Sequence, residues 1–120
     1  MKVLVVDDSR VMRMIIGRAL REMGFDIVEA GDGQEALTRL KENSDIGLAL
    51  VDWNMPVMNG IDFLRAMRSD QQYAAIKVMM VTTETEMTQV QLALQAGANS
   101  YVTKPFTPDV IQEKLRSLGF

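Results

Sequence analysis

Five side chains of this sequence could do chemistry together, and each stands where a short apolar run gives out. Asp7 and Asp8 follow Val3–Val6. Asp52 follows Ile46–Val51, Thr82 follows Ile76–Val81, and Lys104 comes just past the run Ser100–Thr103. Three close carboxylates repel one another, and they all stay ionised only with a cation among them. Magnesium suits such a place, because it takes oxygen ligands in an octahedron and keeps some of its waters. Lys104 would add a compact positive charge, and Thr82 a hydroxyl that can donate a hydrogen bond. An acid cluster, a metal, an ammonium and a hydroxyl are together suited to holding a phosphoryl group. Taken singly, each has a plainer reading. An Asp pair before a helix is often an N-cap. Asp52-Trp53-Asn54-Met55-Pro56 reads as a turn and Lys104-Pro105 as a breaker. Thr82 reads as a β-branched strand residue. The argument for chemistry is joint placement at four strand ends out of five; the run ending at Ala30 offers no reactive group.

Composition narrows the field. The 120 residues include no Cys and no His. This excludes disulfide scaffolds, zinc sites, thiol chemistry and Ser-His or Cys-His catalysis. Any metal must be a hard ion held by oxygen. There are 16 acidic and 13 basic side chains, for a net charge of -3. Without Asp7, Asp8 and Asp52 the remaining acids and bases balance, so the net charge equals this one cluster. The mild acidity argues against a nucleic-acid-binding surface. The chain is 48% apolar, with no run near the ~20 residues a membrane span needs. The apolar N-terminus is too short for a signal peptide before it meets Asp7. The expectation is one cytoplasmic domain over residues 1–120, with no output domain.

The elements that would position these residues alternate. Met12, Ile15, Ile16, Ala19, Leu20 and Met23 recur at helical spacing, with Gly24 as a C-cap signal. Phe25–Ala30 is a second short run, and Asp32-Gly33 opens a helix carrying Ala36, Leu37 and Leu40. Ile46–Val51 is too apolar to alternate, which predicts a strand buried on both faces. Asn59-Gly60 turns into a helix with Ile61, Leu64 and Met67. Thr83-Glu84-Thr85-Glu86 fits a capping box for a fourth helix ending at Gly97. Thr107-Pro108-Asp109 gives the last helix a cap, a first-turn Pro and an acid. Strict (βα)5 order implies an α/β fold with a parallel sheet and helices on both faces. In such sheets ligands bind beyond the carboxyl ends of the strands.

Val5-Val6-Asp7-Asp8, Asp52-Trp53-Asn54-Met55-Pro56, Asn59-Gly60, Val81-Thr82, Gly97-Ala98 and Lys104-Pro105-Phe106-Thr107 stand in order along essentially the whole chain. With these motifs the sequence resembles the receiver domain of two-component response regulators, especially its single-domain chemotaxis members. The resemblance implies a flavodoxin-like, doubly wound five-stranded sheet of order 2-1-3-4-5, which puts the three carboxylates in one crevice. It implies that Asp52 accepts a phosphoryl group from a histidine kinase, the chain having no His of its own. Asp8, Asp52 and the backbone carbonyl of Asn54 would bind Mg2+, with Asp7 acting through water. Lys104 would contact the acyl phosphate. Thr82 and Tyr101 would be the switch pair, Asn54 and Glu84 would set the phosphate lifetime, and the Lys104-Pro105 bond would be cis. The output surface would lie on helix 4, strand 5 and helix 5, at Val90, Leu94, Tyr101 and Lys114. A downstream protein, such as a flagellar motor switch protein or a phosphatase, would dock there.

On the helical wheel Met87, Val90 and Leu94 form one apolar arc, and Leu92, Ala93 and Ala96 another. One arc should face the sheet and leave the other to a partner. The alternative is a helix buried more completely. Glu86 and Met87 stand where chemotaxis members often carry lysines, which bears on the partner and not on the phosphorylation chemistry. The expectation is a signalling module and not an enzyme, with chemotaxis, a phosphorelay shuttle or a phosphate sink as its settings. A phosphohydrolase using Asp52 would want a second Asp where Asn54 stands. A flavin binder would find its phosphate repelled by Asp7 and Asp8.

Overall fold

The computed structural model describes residues 1–83 and 87–120, Met87 by its backbone alone. The strands are β1 (Lys2–Val6), β2 (Asp26–Ala30), β3 (Ile46–Asp52), β4 (Lys77–Thr82) and β5 (Ser100–Thr103). The helices are α1 (Arg10–Glu22), α2 (Gly33–Glu42), α3 (Gly60–Arg68), α4 (Met87–Gln95) and α5 (Pro108–Ser117). The polar stretch before β4 forms one short 3-10 turn, Gln71–Tyr73. All strand pairs are parallel, in the order β2-β1-β3-β4-β5. The expected doubly wound α/β architecture is therefore the observed one.

Strand alternation sorts the apolar residues between two faces. Val3, Val5, Leu48, Leu50, Met79, Val81 and Val102 point to one side and pack with Ile16 and Leu20 of α1 and Ile111 and Leu115 of α5. Leu4, Val6, Ala49, Val51, Val78 and Met80 point to the other, against Ala36 and Leu40 of α2, Phe63, Leu64 and Met67 of α3, and Ala93 of α4. Because β1, β3 and β4 are covered on both faces, their runs read as continuously apolar, which is the pattern of a buried parallel sheet.

Local signals stop and start the helices. Gly24 follows the end of α1 with φ +90, a conformation that costs a β-carbon energy and glycine nothing. Asp32 and Asn59 accept from the backbone N–H groups of Glu35 and Asp62 and so cap α2 and α3. Thr107 caps α5 by backbone conformation only, with Pro108 in the first turn and no side-chain cap bond. The Thr83–Glu86 capping box lies largely outside the described residues.

α4 departs from expectation. Its buried residues include Val90 and Ala93, one from each apolar arc, whereas Leu92 and Leu94 are each 44% exposed. The pair at i and i+3 meets the sheet. Leu94 lies about 70° from the middle of that arc and Leu92 about 130°, at 100° per residue. Val90, 7% exposed, is therefore core and not partner surface. Hydrophobicity alone could not choose between the arcs, because both sides of this helix are apolar.

Candidate functional site

The carboxyl ends of β1, β3, β4 and β5 lie side by side in the sheet order and bring the sequence-predicted residues together. Asp7 leaves the end of β1, and Asp52 ends β3 beside it, since Val6 pairs with Val51. Thr82 ends β4 one residue past Val81, the partner of Asp52. Lys104 follows β5, and its backbone N–H donates to the Thr82 carbonyl at 2.7 Å. The Lys104-Pro105 peptide is cis, as anticipated.

One carboxylate oxygen from each of Asp7, Asp8 and Asp52 lies within 4.8 Å of the others. Asp7 is fully buried and Asp52 nearly so, whereas Asp8 faces solvent. The Lys104 ammonium reaches between the two buried acids, 3.2 Å from Asp7 Oδ2 and 3.4 Å from Asp52 Oδ1. Asp7 Oδ1 accepts from the Ser9 backbone N–H at 2.8 Å. Ser9, not either aspartate, caps α1, its hydroxyl accepting from the Met12 N–H. The plain N-cap reading of Asp7-Asp8 is thereby displaced. Thr82 is buried, which sets its hydroxyl within the sheet end and not on the surface.

Electrostatics follow from this crowding. Burial pushes the Asp52 carboxyl above the ordinary carboxylate range, Asp7 adds to the shift, and Lys104 opposes it. Burial works against the Lys104 ammonium too, but Asp7 and Asp52 together outweigh it and raise its pKa. Three acids against one ammonium leave a surplus of negative charge on hard oxygen donors. That donor set fits a magnesium ion, with Asp8 on the solvent side where waters could remain. The backbone carbonyl of Asn54 belongs to the exposed loop that follows β3.

This β3–α3 loop is pinned from several sides. Trp53 N–H donates to Val81 O at 3.0 Å, and Gly60 N–H donates to Trp53 O at 2.9 Å. A β-carbon on Gly60 would stand 2.2 Å from the Asp52 carbonyl oxygen, so only glycine lets α3 begin this close beneath the acid. Met58 N–H donates to Pro56 O across Val57, whose φ of 67 is an outlier for a β-branched residue. Asn59-Gly60 reads in the sequence as a turn, and the reason for its glycine is visible only in the fold.

The remaining predicted residues divide. Tyr101 is half-buried on β5, and the Lys114 ammonium lies 4.5 Å from its ring centre, so these two are neighbours. Leu94 is exposed on α4. Glu84 lies outside the described residues. Arg13, which sequence reasoning did not place near the site, donates to the Asp7 carbonyl oxygen at 2.6 Å.

A parallel five-stranded sheet with an acid cluster, a lysine and a threonine at its carboxyl edge is the architecture of a signalling receiver. The family model described as response regulator receiver domain matches residues 3–116, and the chain belongs to that family. It is 48% identical over 116 residues to chemotaxis protein CheY1 of Helicobacter pylori, covering 96% of this chain and 94% of that protein. It is 46% identical over 119 residues to chemotaxis protein CheY of Pseudomonas aeruginosa, covering 98% and 95%. The solved structure of chemotaxis response regulator CheY4 of Vibrio cholerae is similar, with a TM-score of 0.91, 35% identity, and coverage of 98% and 97%. Among the described residues, no helix is long and apolar enough to cross a membrane.

Proposed function

We propose that this chain is a phosphorylation-controlled signalling module, not an enzyme acting on an outside substrate, and that Asp52 is its phosphoacceptor. The observation that carries the reading is the buried Asp52 carboxylate sharing the Lys104 ammonium with Asp7 inside one acid cluster. An Asp52 oxygen attacks the phosphorus of a phosphohistidine on a partner histidine kinase. A P–O bond forms, the P–N bond breaks, and the donor imidazole leaves. Lys104 holds a phosphoryl oxygen by its charge, and the Thr82 hydroxyl donates a further hydrogen bond.

Asp8, Asp52 and the Asn54 carbonyl would hold Mg2+, with Asp7 bonded through water. The ion would supply positive charge that offsets the phosphoryl oxygens. Asn54 and Glu84 would tune how long the acyl phosphate lasts. When Thr82 turns to the phosphoryl group, Tyr101 follows it and alters the surface formed with Leu94 and Lys114, where a downstream protein docks. Identity to chemotaxis proteins supports a motor switch protein or a phosphatase as that partner.

Intact-mass measurement after treatment with acetyl phosphate and Mg2+ tests the acceptor. Wild type should gain one phosphoryl group, and Asp52→Asn none, because an amide is a far weaker nucleophile than a carboxylate. Thr82→Ala should gain the group and bind its partner poorly. A stable phosphoryl adduct on Asp52→Asn would sink the assignment.

A further inference from the structure

Asp8 presents a problem of positioning. Its carboxylate is exposed and, among the described residues, has no hydrogen-bond partner. Asp7, in contrast, is held at both carboxylate oxygens, by the Ser9 N–H and Lys104, and at its own N–H, which donates to Ala30 O at 3.1 Å. The direction in which Asp8 projects is therefore set by the backbone of the β1–α1 turn, and above all by the Asp7–Asp8 peptide plane. That peptide's carbonyl has no strand to pair with, because β1 has ended at Val6 and β2 at Ala30.

Arg13 fills the gap. Its Nη1 donates to the Asp7 carbonyl at 2.6 Å, and its Nε donates to Glu29 Oε1 at 2.9 Å. The side chain is only 18% exposed. Glu29 lies on β2, and its main-chain carbonyl accepts from Arg39 Nε of α2 at 3.2 Å, so the strand position from which its carboxylate reaches Arg13 is fixed. The guanidinium thus spans α1, β2 and the turn, with two bonds in a planar fork that a lysine cannot reproduce.

We infer that Arg13, pinned by Glu29, is a positioning residue that fixes the Asp7–Asp8 peptide and so presents the Asp8 carboxylate to the metal. The inference rests on the proposed Mg2+ site. It runs against simple Coulomb reasoning: a cation this close to the acid cluster repels a metal ion, so removing its charge should tighten binding. A brace predicts the reverse.

The test is titration of Mg2+ against Trp53 emission, Trp53 being the only tryptophan and the neighbour of Asp52. Wild type, Arg13→Met, Arg13→Lys and Asp8→Asn are compared, with thermal unfolding confirming that each is folded. Arg13→Met should weaken Mg2+ binding roughly tenfold, the lower end of the loss seen when partners that orient metal ligands are removed. Arg13→Lys keeps the charge and reaches one partner of the two, so it should fall in between and remain interpretable if the Met variant does not fold. The Mg2+ concentration for half-maximal phosphorylation by acetyl phosphate should rise in step. Binding by Arg13→Met as tight as wild type, or tighter, overturns the brace and leaves the metal site standing. A wild type that does not respond to Mg2+, or that Asp8→Asn matches, overturns the metal site and the brace with it.

Discussion

Asp52→Asn should make the metal-free protein more stable at neutral pH, and the size of the gain follows from the site. One oxygen of each of Asp7 and Asp8 lies within 4.8 Å of one on Asp52; at that limit and an effective dielectric of about 20 the buried Asp7 repels an ionised Asp52 by about 3.5 kcal/mol, and the exposed Asp8 by less. Lys104, at 3.4 Å, returns about 5 kcal/mol. The remainder is a repulsion of at most about 2 kcal/mol, to which burial, the largest cause of the raised Asp52 pKa, adds. An amide removes it and can still accept from Lys104. The expected gain is about 1–2 kcal/mol, or roughly 5 °C in Tm, measured by thermal unfolding at pH 7 in EDTA. The pH dependence has a definite sign. The Asp52 pKa is raised by folding, so its contribution is fully present below the ordinary carboxylate range and lost as pH rises through the folded value. Wild type and variant should therefore converge near the acid end and separate toward neutrality. Mg2+ should narrow the gap at pH 7 by binding the native wild type. A variant no more stable than wild type at pH 7 in EDTA, or a gain undiminished at acid pH, would refute the electrostatic account.

Other outcomes follow from packing and backbone geometry. Gly60→Ala should destabilise the fold by about 2 kcal/mol or more and weaken Mg2+ binding in the Trp53 titration, because its β-carbon meets the Asp52 carbonyl. Val57→Gly should stabilise by up to about 1 kcal/mol in urea unfolding, since Val57 is 82% exposed and held at a φ that glycine adopts freely. Val90→Asp should cost several kcal/mol, as a charge buried without a partner does, whereas Leu94→Asp should stay within about 0.5 kcal/mol of wild type and act on partner binding. Equal stability of those two variants would mean that α4 is oriented otherwise.

Several features of this protein were settled by residue order alone. Five apolar runs separated by helical periodicity favour a parallel sheet, because a helix after each strand carries the chain back to the same end of the sheet. The positions of Asp7, Asp8, Asp52, Thr82 and Lys104 at the ends of those runs gather these side chains at one edge of any parallel sheet the runs form. Periodicity is a property of neighbours in sequence, and so these features are local. The tertiary structure decided what depends on distant partners. It showed that Ser9 caps α1 and frees Asp7 for Lys104, a contact across 97 residues. It turned Val90 and Ala93 inward on a helix with two apolar arcs of similar weight on the wheel. It gave Gly60 its reason, the Asp52 carbonyl 2.2 Å from where a β-carbon would be. It also brought Arg13 to the Asp7 carbonyl, a bond invisible to motif reading because an arginine at a helical position looks like any solvated charge until the strand beside it supplies Glu29.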